Sequence, residues 1–446
     1  MLSDLLARID AEPLITRLTP PLLALSAATV TTAYYQIHGP TLHSLILLSL
    51  VWLWMRSRND RPLPIRRSTL ALSGVFLVYT LIAVLSASRV GFNAEALSRL
   101  EHFSYFLAGA FLIPFLVAMR LRPIWFWGAI GATALLSGLH ALWEMQTFAE
   151  VHRLATGLDY RAGGSKGKQI PFGDIATLAA TLSLLGASIH LRSRRLLAGW
   201  LAVAALLGLY ASLASGTRGA WVFYPTALVV IAIALIQQYP TRRRAVLLGL
   251  AGIVLVGGIA LSQSPTIQAR FATAIVQIQD YAPGAEVQAG NALGERFEMW
   301  RAAWMAFRSE PLLGIGVGQL NGYFKQAAEQ GRISPAIADF NRGEGHTHAH
   351  NDYLHALATR GWLGLVSLLL LYLVPLAVFI RAAAIERDPE ARGLGYAGIL
   401  VILAYMQFSL TDSILLARMT AGYFVLLCAW LLAMNLTSRP TRTPPG

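Results

Sequence analysis

Four histidines, His346, His348, His350 and His355, fall within the short stretch "GEGHTHAHNDYLHALATRGWLG", residues 343–364, beside the acids Glu344 and Asp352. Imidazoles and carboxylates at such density suit metal coordination, proton transfer or a transport path. On a strand, His346, His348 and His350 would point one way; on a helix, His346 and His350 would share a face. A zinc or manganese site would take Glu344 or Asp352 as a further ligand. The spacing "HTHAH" is not the HExxH of a zinc protease helix. General-base chemistry asks for less: one histidine with a pKa near neutrality that touches a hydroxyl. The remaining histidines then become neighbours, and His355, between Leu354 and Ala356, reads as a helix-interface residue.

Arginines form the second group. Arg218 lies in "SLASGTRGAWV", a connection of a few residues between two apolar runs, where a charge is costly unless it faces a cavity or a partner. Arg161 stands among glycines in "YRAGGSKGKQIPF". In "NALGERFEMWRAAWMAFRSEPLLGIGVGQL", Phe297, Trp300, Trp304 and Phe307 recur at helical spacing and Pro311 follows. That predicts an amphipathic helix at a membrane interface. Arg296 falls at one edge of its aromatic arc, Arg301 and Arg308 at the other. Snorkelling toward lipid head groups is the alternative use of all three. Gly314, Gly316 and Gly318 allow close backbone packing. Arg360 and Trp362 read as a head-group contact and an interfacial anchor. Asp412 and Arg418 flank a short turn and could simply pair with each other.

The elements that carry these groups are apolar. The chain has 446 residues, 55% hydrophobic and 13% charged, with mean hydropathy +0.54. Soluble domains carry about 25% charged residues. The chain therefore reads as an all-α polytopic membrane protein. Some twenty apolar residues cross a bilayer. About twelve candidate spans follow, at roughly 18–37, 41–55, 69–88, 102–119, 123–144, 173–191, 196–214, 219–237, 245–262, 362–380, 394–412 and 416–436. The formal charge of +13 is carried almost wholly by arginine, since only Lys166, Lys168 and Lys325 are lysines. One set of short loops holds Arg56, Arg58, Arg61, Arg66, Arg67, Arg120, Arg122, Arg192, Arg194, Arg195, Arg242, Arg243, Arg244, Arg381, Arg387 and Arg392; the alternate loops are nearly bare. By the positive-inside rule the basic set is cytoplasmic, as are both termini. The single cysteine, Cys428, excludes an intrachain disulfide and a cysteine-based metal site. The expected organisation is nine spans with short loops over 1–262, a large helical outer loop over 263–361, three spans over 362–436 and a disordered cytoplasmic tail over 437–446. The first residues read as a cytoplasmic lead-in rather than a cleaved signal.

Three stretches together resemble the O-antigen ligase and O-antigen polymerase superfamily of glycan transferases. His350-Asn351, nine residues, then Gly361-Trp362-Leu363-Gly364 is similar to that family's His-Asn/Ser/Gln, nine residues, Gly-x-x-Gly pattern. "RFEMWRAAWMAFRSEPLLGIGVGQ" is similar to its Arg…Trp…Pro-Leu-x-Gly-x-Gly signature, and "SGTRGAW" to its Ser-Arg-Gly turn. The resemblance implies a GT-C-like, metal-independent, inverting glycosyltransferase with no ATP site. It would transfer O-antigen from undecaprenyl diphosphate to a sugar hydroxyl of lipid A–core on the periplasmic face. Under it, His350 is the general base. Arg218 and Arg296 bind the diphosphate and stabilise its departure, and Arg161, Arg301, Asn351, Asp352 and Arg360 contact substrate. Charge builds on a leaving diphosphate, and arginine forks suit that charge, so no metal is expected to be required. No nucleic acid is expected as a partner. Within the superfamily, an O-antigen polymerase or a protein O-oligosaccharyltransferase is the alternative. Outside it stand a secondary transporter, which predicts ionisable residues at mid-membrane, and a metal-dependent hydrolase resting on the histidines alone. Polar residues gathered at one membrane face favour the enzyme.

Overall fold

The computed structural model describes residues 11–58, 67–263, 265–283, 286–287 and 291–437. Residues 1–10, Arg61, Arg66 and the tail from 438 lie outside these. Seventeen α-helices run through the described residues and no strand occurs among them. In chain order they are α1 (Ala11–Ala28), α2 (Gly39–Arg58), α3 (Arg67–Ser88), α4 (Ala94–Ala118), α5 (Pro123–Thr156), α6 (Gln169–His190), α7 (Arg195–Ser215), α8 (Arg218–Trp221), α9 (Phe223–Gln238), α10 (Arg243–Ser262), α11 (Pro265–Gln279), α12 (Ala292–Ser309), α13 (Leu320–Glu329), α14 (Ala336–Gly343), α15 (Asp352–Ile385), α16 (Pro389–Thr411) and α17 (Arg418–Thr437). Ten helices among the described residues are long and apolar enough to cross a bilayer, with α8 and α9 forming one of them. Helices α1 and α10 overlap the remaining two expected spans.

Helix α17 is apolar all round and buried from Met419 to Leu436, so it forms the centre of the bundle. Its neighbours bury one face and leave Leu81, Leu206, Val229 and Leu373 exposed on the other, as a lipid-facing surface would. Hydroxyl pairs stitch the interior: Thr31 to Ser137 at 2.8 Å, Thr177 to Ser212 at 2.6 Å and Tyr372 to Ser409 at 2.7 Å.

Successive helices alternate in direction, which sorts the loops to two ends. Arg56, Arg120, Arg122, Arg194, Arg242, Arg387 and Arg392 lie at one end. The ion pair of Arg56 with Glu12, 2.8 Å, ties α1 to α2 there. The starts of α4, α6, α15 and α17 and the C-terminus of α16 lie at the other, carrying the histidine stretch.

Helices α12, α13 and α14 cap that second end around their own core of Met299, Ala302, Ala303, Ala306, Leu320, Phe324, Ile333 and Ile337. The face of α12 that packs is thus its methionine–alanine face. Trp304, in the aromatic arc expected at a membrane interface, is 48% exposed. Small side chains let helices approach closely, which a row of tryptophans would prevent. Buried Glu298 knots the cap together. It accepts from Tyr281 Oη at 2.7 Å, from Arg301 Nε at 3.1 Å and from the Ser334 amide at 2.9 Å.

Helix α15 is broken. Gly361 has φ +62° and ψ −156°, far outside helical values. The segment Pro311–Gly316 satisfies the backbone groups that the break releases. Ile315 N donates to Ala358 O at 2.9 Å and Gly316 N to Thr359 O at 3.2 Å, while Trp362 N donates to Pro311 O at 2.8 Å. Ser86 Oγ adds a bond to Thr359 O at 2.6 Å. Unpaired amides at membrane depth cost several kcal/mol each, so the break exists only with this partner. Glycine is required at both contacts. A Cβ on Gly314 would sit 2.3 Å from Arg360 N, and one on Gly361 would sit 2.3 Å from the Leu312 carbonyl carbon.

Candidate active site

The start of α15 and the α16–α17 turn hold each other. Asn351 caps α15, accepting from Leu354 N at 2.9 Å, and its Nδ2 donates to Leu410 O at 3.1 Å. Asp352, buried, accepts from Ser409 Oγ at 2.7 Å and from Leu415 N at 3.2 Å. The Asn351 amide donates to Ser413 Oγ at 3.2 Å. Next to these clamps stands His350 with φ +47°, a left-handed conformation that costs a side-chain-bearing residue about 1 kcal/mol or more. Such strain persists where the surroundings over-determine it, and here the clamped start of α15 does so.

The outcome is a histidine–aspartate dyad. His350 Nδ1 lies 2.8 Å from Asp412 Oδ1, and Asp412 Oδ1 also accepts from the Ser413 amide at 2.8 Å. Burial pushes the Asp412 carboxyl up, but the His348 and His350 rings beside it more than reverse this and hold it below the usual carboxylate range. Burial lowers His350 from its ordinary 6.5, and the charges of His348 and Arg296 add to that, against the opposing pull of Asp412. The pair is therefore a carboxylate facing a neutral imidazole. The carboxylate takes the Nδ1 proton as a hydrogen bond, which leaves the Nε2 lone pair to accept a proton.

His350 and Asp412 form part of the wall of a cavity of about 640 Å³. Its other walls bring Arg99 and His102 from α4, Lys166 and Lys168 from the loop before α6, Phe340 from α14, and Arg418 from α17. The lysine loop is docked by Ser165 N on Thr31 O at 2.9 Å, and Lys166 Nζ lies 4.1 Å from the Tyr34 ring centroid. Four permanent cations around one base make a cavity suited to a polyanion such as a diphosphate.

The residues singled out from the sequence are dispersed more widely than expected. Arg296 is half-buried and close enough for its charge to act on His350. Arg218 is exposed at the start of α8; its neighbour Gly219 packs against Thr411, next to Asp412. Arg161 donates through Nε to Ser215 O at 2.8 Å and borders a separate cavity of about 350 Å³ with Tyr160 and Asp159. Arg301, grouped with the substrate-binding residues by sequence, pairs with Glu298 at 2.9 Å and knots the cap, because a buried carboxylate requires a partner. Asn351 and Asp352 serve as helix cap and clamp. Arg360 is buried under the rings of Tyr79 and Phe103, 4.7 Å and 4.9 Å from their centroids, rather than at a head group. His346 stacks on Phe340 at 4.0 Å, and His355 is buried in α15. Asp412 does not pair with Arg418, whose guanidinium meets Glu101. The turn between those two suggested a pair, and chain separation hid the partner of Asp412, 62 residues before it. The cations Arg99, Lys166, Lys168 and Arg418 were likewise not assigned to a site from sequence; that two of the three lysines share one glycine-rich connection was the signal available.

A bundle of helices long and apolar enough to cross a membrane, with a histidine–aspartate pair and a ring of cations gathered at one end, defines a polytopic membrane protein. Residues 203–369 match the family model described as O-antigen ligase. This supports the chain's membership in the O-antigen ligase superfamily, and with it an O-antigen ligase/polymerase type of function on lipid-linked polysaccharide. The matched stretch contains Arg218, Arg296, Gly314, His350 and Gly361. The chain is also similar to an uncharacterized protein of Haemophilus influenzae, 27% identical over 301 residues, covering 66% of this chain and 69% of that one.

Proposed function

We propose that the protein is an O-antigen ligase. It moves the glycan of undecaprenyl-diphosphate-linked O-antigen onto a sugar hydroxyl of lipid A–core, at the periplasmic face of the inner membrane. The observation that carries this reading is the His350–Asp412 dyad on the wall of a cation-lined cavity at one membrane end. His350 Nε2 takes the proton of the acceptor hydroxyl as its oxygen attacks the anomeric carbon. The glycosyl C–O bond to phosphate breaks, its electron pair leaves on the diphosphate, and the configuration inverts. Asp412 keeps the imidazole in the tautomer that can accept and stabilises the imidazolium that forms. Arg296 and Arg218, with Arg99, Lys166, Lys168 and Arg418, stabilise charge on the departing undecaprenyl diphosphate. With so many fixed cations at hand, the transfer step runs without a divalent metal.

The test is reconstituted transfer from undecaprenyl-diphosphate glycan to purified lipid A–core. Product forms in EDTA at the same rate as without it. Loss of transfer in EDTA, restored by a divalent ion, overturns the metal-free step. Joining of two donor glycans in place of transfer to lipid A–core makes the protein a polymerase.

A further inference from the structure

The dyad has a third member that base catalysis does not use. His348 Nε2 lies 3.6 Å from the same Asp412 Oδ1 that receives His350 Nδ1 at 2.8 Å. One ligand atom from each of His348, His350 and Asp412 falls within 4.8 Å of the others. Two imidazole nitrogens and a carboxylate oxygen are zinc's usual donors, at about 2.0–2.2 Å from the ion. Tetrahedral bonds of that length set ligand atoms about 3.3 Å apart, and the two measured separations bracket this value. All three residues line the cavity, which offers water as the fourth ligand and a route in. The third ligand is Asp412, from the α16–α17 turn. Glu344, weighed for that place from sequence, is exposed, and Asp352 is engaged by Ser409 and Leu415.

We propose that His348, His350 and Asp412 form an inhibitory site for a first-row transition ion such as Zn²⁺, whose binding silences the general base. The chemistry lies in the tautomer. Without metal, Nδ1 of His350 carries the proton and Nε2 holds the free lone pair. A metal taking Nδ1 displaces that proton to Nε2, and the ring stays neutral. Nε2 is then a donor and accepts nothing, while Asp412 is drawn from its histidine to the ion. The silencing, though not the binding, rests on the function proposed above.

The full chain in detergent micelles, free of any histidine tag, is titrated with Co²⁺ and read by its visible ligand-field absorption. Cys428 is buried in α17, so thiolate bands do not intrude. We expect one Co²⁺ per chain with the intensity of a tetrahedral ion, displaced by Zn²⁺. His348→Ala and Asp412→Asn each weaken binding at least tenfold, and His346→Ala weakens it less than threefold. A tetrahedral signal equally reduced by all three variants, or no saturable signal, overturns the site. In the transfer assay, Zn²⁺ at saturating occupancy lowers the rate at least tenfold and EDTA restores it. The residual activity of His348→Ala needs at least tenfold more Zn²⁺ for half-inhibition. Full transfer at full occupancy overturns the silencing and leaves the site standing. Because binding is measured without donor or acceptor, a chain that fails to transfer glycan still tests the site.

Discussion

At the residue scale, the account turns on which group completes His350. The histidine itself was legible, because "HN" nine residues before a Gly-x-x-Gly is a local pattern. Its partner was not. Asp412 reaches it only because Asn351 and Asp352 clamp the start of α15 to the turn at 409–415. That closure follows from helix packing rather than from any short motif. Burial lowers His350 below 6.5, so the base form already prevails at neutrality. The transfer rate is therefore expected to be flat above pH 6.5 and to fall as the pH drops through the lowered value. Asp412 raises that value, so Asp412→Asn should shift the acid limb to still lower pH. The same change should cut the plateau roughly 10²-fold, since general-base contributions run from about 10² to 10⁴. A rate–pH series on both proteins checks this; an acid limb that moves upward in the variant would contradict the pairing.

At the element scale, the break in α15 explains why two separate glycine motifs occur in one chain. "PLLGIG" supplies carbonyls and amides to the helix at 358–363, and Gly314 and Gly361 are the points of closest approach. Both motifs were visible in the sequence as small residues suited to close packing. That they pack on each other was not, since 46 residues separate Gly314 from Gly361. Gly361→Ala meets the Leu312 carbonyl and a backbone conformation that costs other residues about 1–3 kcal/mol. It should lower the melting temperature in detergent and reduce transfer. Gly322→Ala, in α13 with open space around it, is the control. It should leave melting unchanged or raise it, since alanine favours helix by about 1 kcal/mol. Equal melting of the two variants would argue against the glycine contact.

At the scale of the molecule, the helix alternation puts the arginine-rich loops and the cavity at opposite ends. Hydropathy sufficed to read this plan, because each span is long and apolar and the charge contrast between loops is strong. The cavity escaped that reading. It is assembled from α4, the start of α6 and the loop before it, α14, the stretch before α15, the α16–α17 turn and the start of α17, so no single window of sequence describes it. If the basic loops are cytoplasmic, the cavity opens outward. In a Cys428→Ser background, Thr347→Cys should react with a membrane-impermeant maleimide in intact spheroplasts, and Ser193→Cys only after permeabilisation. The reverse pattern would invert the protein and place its chemistry on the wrong side for a periplasmic acceptor.

The central claim, that His350 is the base of a glycan transfer, is tested most directly by the initial rate of transfer from undecaprenyl-diphosphate glycan to lipid A–core by His350→Gln. Its melting temperature is measured alongside, to show that the fold is kept. The account predicts a rate at least about 10²-fold below that of the unmodified protein at pH 7.5. A rate within threefold of it, from a folded variant, would contradict the claim.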